Sequence, residues 1–204
     1  MPLHRKRKTK DPCAECFLRK DLCICDLTPY LNLKTRVTLL VHAKELKRTT
    51  NTGRLAIKAL VNSEMRVRGA TREPLDLTDI VNPHFRNLVF FPSQTAVELT
   101  EQLSKADPRP IHLIVPDGNW RQASKVPGRH RELAGLTHVK ISQPNKARLH
   151  LRAETTPSGM ATLEAIAHAL KIIEGPDVFA KLFAFYTAKL ERTLSARPNK
   201  RAKL

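Results

Sequence analysis

Four cysteines fall within thirteen residues, Cys13, Cys16, Cys23 and Cys25, spaced C-x2-C-x6-C-x-C. No apolar leader precedes them, so the expectation is a reducing, cytoplasmic setting in which disulfides are disfavoured. Four thiolates that close together can complete a tetrahedral Zn2+ shell and leave no position open for a substrate, so the expected metal is structural. The pairs stand closer than in a two-knuckle ribbon. Arg19 and Lys20 give the loop a positive rim suited to phosphate.

Acids, amides and guanidinium groups concentrate in three further stretches. Residues 42–54 hold Glu45, Arg48, Asn51, Thr52 and Arg54; residues 117–120 begin with Asp117 and end with Trp120, the single tryptophan; residues 142–152 hold Arg148 and Arg152 around His150. Each stretch follows an expected strand: the apolar runs at 36–41 and 111–115, the first read as buried, and a further strand at 137–141.

The elements that must position these groups follow from the pattern around them. Further strands are expected at 65–68 and 87–92. Helices are expected at 55–61, where Asn51 and Thr52 are suitable N-caps, at 95–105, after Trp120 as far as Pro127-Gly128, and from 159 or 160 to 174 with Ser158 as cap. A last helix over 176–194 carries Phe179, Leu182, Phe183, Tyr186 and Leu190 at helical spacing. Apolar strands alternating with helices predict an α/β fold, a mostly parallel sheet with helices on both faces. Ligands of such sheets bind beyond the C-terminal strand ends, which would bring the three polar stretches to one rim.

The charge balance names a class of partner. Lys+Arg 36 against Asp+Glu 19 gives a net charge of +17 in 204 residues, and the basic tails at 1–10 and 195–204 hold nine of these charges. The remaining +8 on residues 11–194 points to a polyanion, with nucleic acid preferred over a membrane surface because no basic amphipathic helix with an aromatic face is present. Aromatic residues make up only 5% of the chain, too few for an aromatic-lined single-strand groove. No apolar run approaches the ~18 residues of a membrane span. A G-x-G-x-x-G turn, a P-loop, H-E-x-x-H and G-x-S-x-G are all missing from the sequence.

Taken together in order, Leu40-Val41-His42-Ala43-Lys44-Glu45 with Arg48 and Asn51-Thr52-Gly53-Arg54-Leu55-Ala56, then Asp117-Gly118-Asn119-Trp120-Arg121-Gln122-Ala123, then Met160-Ala161-Thr162-Leu163-Glu164-Ala165-Ile166-Ala167, resemble three blocks of the DTW-domain family. The cysteine knuckle is similar too, and the likeness covers about residues 11–194. One departure stands out: the family's Asp-x-Thr-Trp is Asp117-Gly118-Asn119-Trp120 here. Asn keeps a side-chain donor and acceptor but loses the hydroxyl.

The resemblance implies a tRNA-uridine aminocarboxypropyltransferase of the bacterial type. Such enzymes move the 3-amino-3-carboxypropyl group of S-adenosylmethionine to N3 of a uridine, in the variable loop for the bacterial members, and release methylthioadenosine. It also implies a SPOUT-like fold with a knotted C-terminal region holding the donor. The domain reading is then a basic tail at 1–10, a zinc knuckle at 11–30, a catalytic domain at 31–194 and a basic tail at 195–204.

That chemistry assigns roles. A carboxylate within reach of the N3 proton is the natural base, and Asp117 is the candidate, the other reading being an N-cap. Arg54 suits the arm's carboxylate and Glu45 its amino group or the sulfonium. Asn51 and Thr52 either contact the donor or cap their helix. Trp120 stacks on a base or adenine, or packs in the core. Thr162 and Glu164 open a helix whose first amides could meet the donor, where Glu also suits the helix dipole. Arg48, Arg121, Arg148 and Arg152 are read as RNA contacts. Two other readings share much of this pattern: a SPOUT-type RNA methyltransferase, and a non-catalytic zinc-containing RNA-binding module.

Overall fold

The computed structural model describes residues 11–70, 75–142, 151 and 159–196. Most of both basic tails, the cap expected at Ser158, and Arg148 and Arg152 lie outside the described residues.

Six strands form one sheet: β1 (Arg36–His42), β2 (Ser63–Arg68), β3 (Arg86–Phe90), β4 (Val97–Glu98), β5 (Ile111–Asp117) and β6 (Thr137–Lys140). They lie in the order β2-β1-β5-β3-β6-β4, and every adjacent pair is parallel. β1 and β5 are apolar along most of their length because both of their faces are covered.

Side chains alternate across the sheet, and two separate cores result. Leu39 and Val41 of β1 and Leu113 and Val115 of β5 face α1 (Gly53–Ala59), α5 (Thr162–Ile173) and α6 (Pro176–Ser195), which contribute Leu55, Ala56, Leu163, Ile166, Leu170 and Leu182. Leu40, Val89 and Ile114 face the opposite way. They pack under Leu77, Ile80 and Leu133 together with Ala123 of α3 (Trp120–Ala123) and Val126 of α4 (Val126–Arg129). The expectation of a parallel sheet covered on both faces is met.

Several boundaries differ from the sequence reading. Pro127-Gly128, expected to break the helix after Trp120, lie inside α4, and the break falls at Ser124-Lys125 instead. The helix expected at 95–105 is an edge strand, β4, followed by the short α2 (Glu101–Lys105), because Thr100 takes an extended conformation and its Oγ1 accepts from Leu103 N at 3.1 Å, fixing the start. α1 runs from 53 to 59 rather than 55 to 61, since Leu60 is extended and forms a bridge with Leu31. α5 begins at Thr162, two to three residues later than expected.

The cysteine loop is not an isolated appendage. Cys16, Leu18 and Ile24 are buried in the same core as α1, α5 and α6. α6 reaches back to it: the fully buried Lys189 donates from Nζ to the Cys16 carbonyl at 2.5 Å, and Arg192 donates to the Cys23 carbonyl.

Candidate active site

A cavity of about 490 Å³ opens at the C-terminal ends of β5, β3 and β6. Phe90, Phe91, Val115, Ile141, Leu151 and the Trp120 ring supply apolar panels; Asn51, Thr52, Asp117 and Thr162 supply polar groups. Its volume and mixed lining suit a nucleoside-sized ligand.

Asp117 is the last residue of β5 and only 5% exposed. Strand alternation turns it, like Val115, toward α1 and α5. Its Oδ2 accepts from Asn51 Nδ2 at 2.7 Å, and its Oδ1 accepts from Thr162 Oγ1 at 2.6 Å. Three segments far apart in sequence therefore converge on one carboxylate. The backbone must come close for this. At Gly53 a Cβ would lie 2.6 Å from Leu39 Cδ2 and 3.0 Å from Asp117 Oδ2, so only glycine lets α1 begin against the carboxylate.

Capping duties are distributed in an unexpected way. Asp117 is not the cap of α3; Asn119 is. Its Oδ1 accepts from Gln122 N at 2.9 Å, while Gln122 Oε1 accepts from Asn119 N at 3.0 Å. Thr is also a good N-cap, so Asn in place of the Thr of the related motif preserves this function. Asn51 Oδ1 accepts from Arg54 N at 3.3 Å, giving α1 its cap, while the same side chain's amide holds Asp117. Thr52 makes no such bond to its own helix. Its Oγ1 accepts from Leu163 N at 3.1 Å and thereby caps α5, whose own N-cap residue, Ala161, has no side-chain acceptor. Glu164 is buried, and its carboxylate accepts from Ala161 N at 3.3 Å.

Trp120 is 53% exposed at the cavity rim, with its ring 5.2 Å from that of Phe91, so a core-packing role is corrected to a surface one. Arg121 is exposed beside it and also lines the cavity. Other expected residues lie elsewhere. Arg54 does not line the cavity: one step along α1 from Gly53 turns it about 100° away, and its guanidinium sits 3.9 Å over the Phe17 ring and bonds the Glu15 carbonyl. The assignment of Arg54 to the donor's carboxylate is corrected accordingly. Glu45 is fully buried in the turn after β1 and paired with Arg48 Nε at 3.1 Å; neither residue lines the cavity, and neither does Glu164.

Sequence reasoning missed Lys140. It ends β6 as Asp117 ends β5, two strands away in the sheet order, about 10 Å at the usual strand spacing. It lines the cavity, and among the described residues its ammonium has no ion-pair partner, although Glu98 lies opposite it on β4. The Glu98 carboxylate is turned to Ser142 instead, at 2.7 and 2.5 Å. The signal was available: a charged residue closing an apolar strand at the ligand-binding rim.

The cysteine cluster meets a geometric test. All four Sγ atoms lie within 4.8 Å of one another, and the Cys13–Cys25, Cys16–Cys23 and Cys13–Cys23 separations are 3.7, 3.7 and 3.6 Å. Zn–S bonds of about 2.3 Å in a tetrahedron place sulfurs about 3.8 Å apart, so the donor set fits such an ion. Hydrogen bonds from the Cys16 and Glu15 backbone amides bring the Cys13 thiol down to about 6. Burial raises Cys16 and pushes Cys25 up to about 12, so the protein alone favours the thiolate at Cys13 and not at Cys16 or Cys25.

The DTW domain family matches residues 10–194 of the chain. Among curated proteins the chain is similar to tRNA-uridine aminocarboxypropyltransferase 2 of Macaca fascicularis, 23% identical over 174 residues that cover 82% of this chain and 58% of that protein. The Drosophila melanogaster protein of the same name is 27% identical over 180 residues, covering 85% and 69%, and the Mus musculus one 23% over 177 residues, covering 84% and 58%. The chain thus spans under two thirds of the length of the macaque and mouse relatives. No solved structure matches it. From the match over nearly its whole length, and from the three motif blocks that converge on Asp117, this chain belongs to the DTW domain family.

Proposed function

We propose that the chain is a tRNA-uridine aminocarboxypropyltransferase that uses S-adenosylmethionine as donor and a variable-loop uridine as acceptor. The observation that carries this reading is Asp117, an oriented carboxylate on the wall of a nucleoside-sized cavity, positioned by the other two motif blocks. The relatives' name supplies the reaction class.

The transfer is a displacement at carbon. The uridine N3 lone pair forms the new C–N bond as the C–S bond breaks, methylthioadenosine leaves neutral, and the N3 proton needs an acceptor. Asp117 takes that proton, with Asn51 and Thr162 fixing the direction of its oxygens. Trp120 and Phe91 offer a stacking surface for a base at the rim. Choosing the arm's carbon over the methyl is a matter of orientation, worth ~7 kcal/mol or more of barrier when well arranged. Lys140 holds the arm's carboxylate from the far side of the cavity, and Arg121 meets RNA at the mouth. Zinc in the knuckle is structural, since four thiolates leave no open coordination position.

Purified protein, unmodified tRNA and S-adenosylmethionine test the reading together. The expected result is a uridine heavier by one aminocarboxypropyl group and an equal yield of methylthioadenosine. A lone methyl on the nucleoside, with S-adenosylhomocysteine as co-product, replaces this reading with a methyltransferase; no product at all leaves an RNA-binding module.

A further inference from the structure

Two arginines on β2 are treated very differently by the fold. Arg66 is held by two carboxylates, Glu64 at 3.0 Å and Asp79 at 2.5 Å. Arg68, the last residue of the strand, is only 8% exposed, and none of the ion pairs among the described residues includes it. Its Nη2 donates to the Gln122 carbonyl at 2.5 Å, while Nε is buried with no acceptor. A guanidinium cannot shed its charge, and a buried charge without a counter-ion is strongly destabilising. An anion arriving from outside supplies the partner that the fold does not.

The surroundings of Arg68 are basic as well. His42 lies directly opposite it on β1, half-buried, with its ring against Gly69; a Cβ there would sit 3.4 Å from Nε2, and the backbone has φ +69°. Arg129 ends α4, exposed, and the half-buried His130 follows. Burial holds both imidazoles below their ordinary pKa, the Arg68 and Arg129 charges add to the effect, and Glu45 at His42 and Glu132 at His130 oppose it. Glu45 is itself held by Arg48 at 3.1 Å. The cluster borders the candidate active site through α3, whose Gln122 is held by Arg68 and whose Arg121 lines the cavity.

We infer that Arg68, His42, Arg129 and His130 form a phosphate site outside the cavity that receives a backbone phosphate of the RNA whose uridine enters it. Arg68 supplies the fixed buried charge, and the other three supply donors at the surface. This inference rests on the RNA substrate proposed above.

The test uses the full chain as wild type and as two variants: Arg129→Ala with His130→Ala, whose positions are exposed and half-buried, and Arg68→Met. Binding of unmodified tRNA is measured over a range of salt concentrations, binding of S-adenosylmethionine is measured separately, and inorganic phosphate is titrated while the histidine ring resonances are followed. The double variant is expected to lose about tenfold in tRNA affinity and to flatten the salt dependence by about one counter-ion or more, with donor affinity unchanged. Phosphate is expected to move the His42 and His130 resonances in wild type but not in Arg68→Met. Unchanged tRNA affinity and salt slope in the double variant overturns the inference, even where free phosphate still moves the rings, because the site then takes a small anion only. Should Arg68→Met fail to fold, the double variant decides. A wild type that binds tRNA through this cluster yet transfers nothing sinks the transferase reading and keeps the site; turnover combined with an insensitive double variant does the reverse.

Discussion

Asp117 gains its orientation from two side chains that were themselves candidates for other work. Asn51 caps α1 with one atom and holds the carboxylate with the other, and Thr162 spends its hydroxyl on the second oxygen. Asp117→Asn keeps both contacts available, its oxygen accepting from Asn51 and its nitrogen donating to the Thr162 hydroxyl, but removes the carboxylate charge and its basicity. The expected outcome is a fall of roughly 10²- to 10⁴-fold in aminocarboxypropyl transfer, read from nucleoside mass spectra, with donor binding altered only a few-fold. Full rate in that variant would remove Asp117 as the base. Lys140 belongs to the same scale. Lys140→Met is expected to weaken S-adenosylmethionine about tenfold or more while leaving methylthioadenosine, which lacks the charged arm, unaffected; calorimetric titration of both ligands checks it, and equal losses for the two refute the assignment.

At the level of elements, the site depends on helix ends lent across the fold. Thr52 serves α5 rather than its own helix, so Thr52→Val is expected to cost about 1 kcal/mol in urea unfolding and to reduce transfer by loosening Thr162 as well. Strand pairing carries a second dependence, on the opposite face of the sheet. His112 of β5 is fully buried, with Nε2 2.8 Å from Thr38 Oγ1 and Nδ1 3.0 Å from Asn87 Oδ1. Burial brings its pKa down to about 4. The unfolded chain therefore binds a proton near pH 6.5 that the folded chain refuses, and stability is complete above that pH. It declines as pH falls through 6.5 toward 4, by about 3 kcal/mol. Urea midpoints at pH 7 and pH 4.5, with a flatter difference in His112→Gln, measure this.

How far the sequence announces these elements depends on what fixes each one. β1 and β5 were legible because both of their faces are apolar, and the rim followed from the strand-end rule. The 95–105 segment misled because its helical composition is overruled by an extended Thr100 and by Glu98 bonding Ser142, neither of which is a local signal. Arg54 and Glu45 misled in a different way. Their residue types suit a charged ligand, but direction around a seven-residue helix and pairing inside a turn depend on partners that only the fold brings near.

For the whole molecule, the cysteine loop is joined to the domain by direct side-chain contacts. Arg54 over Phe17, Lys58 with Glu15 at 2.8 Å, and Lys189 and Arg192 on the Cys16 and Cys23 carbonyls tie it to α1 and α6. Chelation, or Cys16→Ser, is therefore expected to release about one zinc per chain and to lower the melting temperature of the entire domain in a single transition; metal analysis and calorimetry would show it. Two separate transitions would mean that the knuckle and the sheet fold independently.

The bond between Lys189 and Cys16 spans 173 residues. A ribosome delivers the thiols 173 residues ahead of the lysine that anchors their loop. During that interval the loop lacks the α6 bonds that hold it to the core, and its four sulfurs stand more open to oxidants and to rival ions.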